Sequence, residues 1–130
     1  MLVDTNVISE LMRPKPSSAV LAWAERQEGF SLSVICLEEI AFGLHARPSP
    51  RLSKWFDGFV AAHCEVLPVT AAVARRCALV RGQFRARGKQ RTQADGLIAA
   101  TAYEYGLALA TRNVRDFEGC GIPLVNPFEG

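Results

Sequence analysis

The sequence has no apolar run approaching the roughly 18 residues of a membrane-crossing helix, so no such helix is expected. It has no Cys-x-x-Cys pair. Its four cysteines, Cys36, Cys64, Cys77 and Cys120, are scattered. They are too few for a disulfide-stapled domain and too widely spaced for a zinc site. Reduced, mostly buried thiols in a cytoplasm are the expectation. The opening Met1-Leu2-Val3-Asp4 carries no basic segment, apolar stretch or small-residue cleavage site, so export is not expected. There is no glycine-rich phosphate loop, which argues against ATP or NAD. Internal repeats, low-complexity tracts and linkers are also absent, so residues 1–130 read as one domain. Aspartate is scarce, with four in the chain: Asp4, Asp57, Asp95 and Asp116.

What is present is a 49% hydrophobic chain, which excludes a disordered tail. Fifteen basic residues against thirteen acidic ones give a net charge of +2, and the distribution says more than the total. Arg81, Arg85, Arg87, Lys89 and Arg91 share one short stretch that contains no acid.

Short apolar strands alternate with helices along the chain. Strands are expected at Met1–Val3, Phe30–Leu32, Glu65–Pro68, Leu107–Ala110 and Pro123–Val125. Asp4-Thr5-Asn6 can cap a helix over Val7–Met12, which Pro14 and Pro16 end. Ser17 or Ser18 caps a helix to about Glu28, and Ser33 caps one to about Ala46 with Val34, Leu37, Ala41 and Leu44 inward. Leu52, Trp55, Phe56, Phe59 and Val60 follow helical spacing and read as core. Thr70 caps a helix with Val73, Cys77, Val80 and Phe84 inward, ended by Gly88. Gln93–Tyr105 is a helix with Ala94, Leu97, Ile98, Ala102 and Tyr105 inward, and Gly106 follows it. Thr111 to Gly121 reads as a loop or a single helical turn. Apolar strands that do not alternate argue for a parallel sheet covered by helices on both faces, an α/β fold. Its functional crevice then lies beyond the carboxyl ends of the strands.

Asp4 ends the first strand, and Asp116 follows the strand at Leu107–Ala110. Asp95 sits in the first turn of its helix, at the edge of the buried stripe. Helical periodicity leaves open which of Glu38 and Glu39 faces the crevice. Carboxylates gathered there would repel one another unless protonated or joined by a cation. An all-oxygen set selects a hard ion, Mg²⁺ or Mn²⁺. Such an ion activates water and offsets charge on phosphate, so phosphodiester hydrolysis is the natural reaction. The basic stretch just before Asp95 could hold a polyanion beside it. Taken singly, each aspartate reads equally as a cap or turn residue, and the basic run as a solvated face.

Several strings carry a resemblance to a known family. Leu2-Val3-Asp4-Thr5-Asn6-Val7-Ile8-Ser9 resembles the opening motif of PIN-domain ribonucleases. Glu39-Ile40-Ala41-Phe42-Gly43 is similar to the second motif and selects Glu39 over Glu38. Ala94-Asp95-Gly96-Leu97-Ile98-Ala99-Ala100-Thr101-Ala102 is similar to the third, and Leu109-Ala110-Thr111-Arg112-Asn113-Val114-Arg115-Asp116-Phe117 to the fourth. The closing Leu124-Val125-Asn126-Pro127-Phe128 also fits, so the likeness spans nearly the whole chain in order. Within the family the chain most resembles VapC toxins of type II toxin–antitoxin pairs, in particular the FitB-like subgroup.

The resemblance implies a five-stranded parallel sheet and an Mg²⁺- or Mn²⁺-dependent endoribonuclease. It further implies a homodimer silenced by a VapB/FitA-like antitoxin. Asp4 and Asp95 would be the principal metal ligands, with Glu39 assisting. Relatives place a fourth acid where Asn113 or Asp116 stands. Here the first is an amide, so Asp116 is expected in the role with Asn113 auxiliary. Thr5, Asn6 and Thr111 would orient the carboxylates. Arg81, Arg85, Arg87, Lys89, Arg91 and Arg112 are the expected RNA-binding residues. His45 and His63 match no metal spacing or triad. The competing reading is a non-catalytic PIN-like binding module, acting in a complex with a DNA-binding antitoxin partner. A phosphoryl receiver fits poorly, because the middle strands end without Asp and no Lys follows the late strand.

Overall fold

The computed structural model describes residues 1–129. Five strands, β1 (Leu2–Val3), β2 (Phe30–Ser33), β3 (Cys64–Leu67), β4 (Leu109–Ala110) and β5 (Leu124–Val125), form one sheet in the order β3-β2-β1-β4-β5. All pairings are parallel. Helices α1 (Thr5–Leu11) and α2 (Ser18–Glu25) connect β1 to β2. Helices α3 (Val34–Ala46) and α4 (Pro50–His63) connect β2 to β3, and α5 (Ala71–Ala86) and α6 (Gln93–Glu104) connect β3 to β4. Short 3₁₀ turns cover Val114–Phe117 and Pro127–Glu129.

Successive strand residues point to opposite faces. Leu2 and Val3 are nonetheless both buried, as are Leu109 and Ala110, so helices cover both faces of the centre of the sheet. The chain first winds outward from β1 to β3 and then returns to the other side of β1 at β4. The topological switch point therefore lies between β1 and β4, where this fold class opens its crevice. Pairing of Leu2 with Leu109 and Val3 with Ala110 brings the next residues, Asp4 and Thr111, out side by side.

Several boundaries differ from the expectations. Helix α1 begins at Thr5, because Asp4 itself is the cap and accepts the Thr5 N–H at 2.8 Å. Helix α2 ends at Glu25 instead of Glu28. The β4 strand is confined to Leu109–Ala110. Helix α3 turns Cys36 and Ile40 into the core, and Val34, Leu37, Ala41 and Leu44 are only half-buried. That helix is apolar over so much of its circumference that periodicity does not fix its phase. Tyr105 is exposed, because α6 has already ended at Glu104. Of the α4 stripe only Phe56 is buried, and Trp55 remains exposed.

Candidate active site

Asp4 is fixed by four donors, none of them charged. Its Oδ1 accepts the Thr5 N–H at 2.8 Å and faces the Cys36 thiol at 4.0 Å. Its Oδ2 accepts the Thr111 hydroxyl at 2.8 Å and the Asn6 amide at 3.2 Å. Thr111 is itself oriented by the Asn113 N–H at 3.0 Å. Asn6 presents its carbonyl to the Arg112 N–H at 3.1 Å, which sets the amide so that its nitrogen points at Asp4. The ends of β1 and β4 are thus tied together through the site itself.

Asp95 comes from the first turn of α6, where the capping Thr92 hydroxyl accepts its N–H at 3.1 Å. Glu39 comes from the middle of α3, and its Oε1 accepts the Thr5 hydroxyl at 2.9 Å. Asp4, Thr5, Asn6, Glu39, Asp95 and Asn113 line one recess of about 510 Å³. Asp116 does not line it. It borders an adjoining recess that shares Arg112 and Asn113. Its charge still reaches Asp95.

The recess is electrostatically uncomfortable. Burial pushes the Asp4 carboxyl above the usual aspartate range, and Glu39 adds to this, outweighing the hydrogen bonds from Thr111, Thr5 and Asn6. Burial also raises Asp95, with Asp4 and then Asp116 contributing, against the Thr92 bond and the charge of Arg91. A helix N-terminus ordinarily favours the ionised form; here desolvation and like charge prevail. Burial, with Asp4 and Glu39 adding to it, pushes the Cys36 thiol up to about 12, so it stays protonated and serves as a weak donor.

The donor set is carboxylate, amide and hydroxyl oxygen, the chemistry of a hard divalent ion. Among the described residues no three His, Cys, Asp or Glu side chains lie close enough together to hold a metal ion as they stand. A cation between Asp4 and Asp95 would rely on water for its remaining ligands, as Mg²⁺ commonly does.

Arg81, Arg85, Lys89 and Arg91 line a separate trough of about 440 Å³ at the α5–α6 turn. Arg91 reaches back toward Asp95 and lies over the Phe84 ring at 4.3 Å. Arg87 is not in that lining; its Nε donates to the Gln83 carbonyl at 3.4 Å. Gly96, directly after Asp95, lets α6 approach α5. A Cβ there would lie 2.8 Å from Cys77 Sγ and 3.1 Å from Arg81 Cδ. Gly96→Ala is accordingly expected to overpack this contact and lower the melting temperature by roughly 5–10 °C, read by thermal denaturation.

Sequence reasoning missed Ser9, Glu10 and Arg13, which also line the acid recess. A signal was available. Asn6, Ser9, Glu10 and Arg13 follow the i, i+3, i+4, i+7 spacing of one helical face.

A two-way-covered parallel sheet with acids converging at its β1/β4 switch point defines a PIN domain. The chain belongs to that family, whose profile matches residues 1–119. Within it the chain groups with VapC and FitB. It is 38% identical to VapC ribonuclease Y4jK of Sinorhizobium fredii, over 99% of this chain and 98% of that protein. It is 34% identical to toxin FitB of Neisseria gonorrhoeae, over 98% of each. The crystal structure of FitAcB from Neisseria gonorrhoeae superposes with a TM-score of 0.86 at 32% identity, covering 99% of both chains.

Proposed function

We propose that this chain is an endoribonuclease dependent on Mg²⁺ or Mn²⁺, and the toxin of a type II toxin–antitoxin pair. One observation carries the reading. Asp4, Glu39 and Asp95, distant in sequence, share a recess in which burial and neighbouring acids raise two of the carboxyls. Among the described residues none of the three has a salt-bridge partner. The names ribonuclease and toxin carried by its relatives support the same reading.

Asp4 and Asp95 would hold the cation, and Glu39 would assist. The bound ion supplies Lewis acidity toward water and phosphate. Thr111, Asn6, Thr5 and Cys36 hold Asp4 in one orientation, and Thr5 also holds Glu39. Preorganised ligands of this kind cost no rearrangement when the ion and substrate arrive. Glu39 engages Thr5 through Oε1, which leaves its Oε2 available to take the proton of an attacking water. Asp116 acts on Asp95 through its charge, with Asn113 as the polar group at the recess itself. Arg81, Arg85, Arg87, Lys89 and Arg91, together with Arg112 at the recess, guide the RNA backbone.

The antitoxin is VapB/FitA-like and contributes an apolar segment. Between α2 and α4 lies a groove of about 910 Å³, walled by Leu21, Phe30, Trp55 and Phe59. Exposed Phe42 and Leu79 offer apolar surface to a second copy of the chain. No described helix is long and apolar enough to cross a membrane; RNA as substrate and unpaired cysteines suit the cytoplasm.

The test uses purified chain freed of its partner, incubated with RNA in Mg²⁺, Mn²⁺ or EDTA. Internal cleavage in either metal and none in EDTA is expected. Cleavage that survives chelation removes the metal; no cleavage in any condition favours the binding module.

A further inference from the structure

The acid recess also has a cationic wall. Arg13 and Arg112 line the same space as Asp4, Glu39 and Asp95, yet neither pairs with those acids. Among the described residues the one ion pair is Arg13 Nη1 to Glu10 Oε1, at 3.2 Å. Opposite charges around one recess attract one another, and here each guanidinium is engaged elsewhere. Glu10 is anchored: its side chain is only 8% exposed, and its Oε2 accepts the Ser17 N–H at 2.8 Å. Arg13 follows it at helical spacing and stays 66% exposed, with part of its guanidinium facing out. Arg112 also lies within reach of the Glu10 charge, and is tethered by its N–H on Asn6 at 3.1 Å and by its guanidinium 4.6 Å from the Phe128 ring centroid. The acids are thereby left for a cation and the guanidinium groups for an anion, within one recess.

We propose that Arg13 and Arg112 grip an RNA backbone phosphate beside the one that is cut, and that Glu10 is a positioning residue that keeps Arg13 out of the acid cluster. The inference rests on the nuclease reading above. Paired guanidinium groups suit phosphate oxygens, because each presents a planar fork of donors.

Two measurements test it. In Mn²⁺, Arg13→Gln and Arg112→Gln should each raise KM for a short mixed-sequence RNA about tenfold with kcat nearly held. Each should also lower the slope of log(kcat/KM) against log salt by about 0.7. In calorimetry without RNA, Glu10→Gln keeps an acceptor for Ser17 but releases Arg13 toward Asp4 and Asp95. Mn²⁺ affinity should then fall several-fold. Arg13→Gln alone should leave that affinity within about twofold, and the double variant should restore it. A double variant as weak as Glu10→Gln overturns the positioning role. Unchanged KM and salt slope in Arg13→Gln overturn the phosphate grip while the nuclease reading stands. If the parent chain cuts no RNA, both fall together.

Discussion

Asp4→Asn is expected to lower kcat/KM for RNA about a thousandfold and, at neutral pH, to raise the melting temperature of the metal-free protein. The two effects share a cause. Asp4 is only 6% exposed, its four donors are neutral, and its neighbours include Glu39. Burying that charge costs stability, and the cost is recovered only when a cation binds. Asparagine keeps the shape and removes the charge. Its oxygen still accepts the Thr5 N–H, and its NH2 turns to the Thr111 hydroxyl, which can accept. Only the Asn6 bond is lost, offsetting part of the gain. About 1 kcal/mol, or roughly 4 °C, is a reasonable gain for a domain of this size. The pH dependence has a definite sign. The folded Asp4 carboxyl lies above the ordinary aspartate value of 3.8, so folding favours its protonated form. That contribution is complete below the ordinary value and is lost as pH rises through the folded one. The advantage of Asp4→Asn over the parent should therefore be small near pH 4 and full at pH 7. Mn²⁺ should reverse the ranking by stabilising the parent alone. Melting curves at both pH values, with and without Mn²⁺, check this. A variant that cuts RNA at the parental rate in saturating metal would end the assignment of Asp4 as a ligand.

Trp55→Ala is expected to weaken antitoxin binding by about 2 kcal/mol, near thirtyfold. Trp55 is 37% exposed, and its ring stacks on Phe59 at 4.9 Å and 9°. Phe59 continues the aromatic row to Phe30 at 5.5 Å, and Phe30 to Trp23 at 5.7 Å. Trp23 is in the core, so the row runs from the interior to the open groove and holds Trp55 as a rigid anchor. Little ordering entropy remains to be lost there when a partner docks. Titration of cognate antitoxin into the free chain reads the affinity directly, and RNA cleavage should resist antitoxin at concentrations that silence the parent. Equal affinities for parent and variant would place the partner elsewhere.

These groove residues also show where sequence and structure part. Helical spacing places Leu52, Trp55, Phe56, Phe59 and Val60 on one stripe, but it cannot say whether the stripe meets a core or an opening. Only Phe56 is buried. In α6, Gly96 and Ile98 through Ala102 are all buried, because the helix lies under α5; no one-sided pattern remains to be read. The strands were easier, since consecutive apolar residues in a short run fit a doubly covered sheet. At the site, Asp4 and Asp95 were placed by local chemistry, as a strand end and a helix first turn. Glu39 was separated from Glu38 only by motif, and the Thr5 hydroxyl now accounts for its position. Glu10 and Arg13 carry no motif, and a polar face on a short helix ordinarily means solvent. The burial and tethering of Glu10 depend on Ser17, the cap of the next helix, and Arg13 is held in turn by Glu10.

The direction of β1 bears on how the protein is handled. This central strand runs toward Asp4, so a purification tag fused ahead of Met1 emerges at the opposite edge of the sheet, clear of the acids. Glu129 borders the recess that holds Arg112, Asn113 and Asp116. A His-rich tag attached beyond it would hang at the mouth of the crevice and compete for the very metal being assayed.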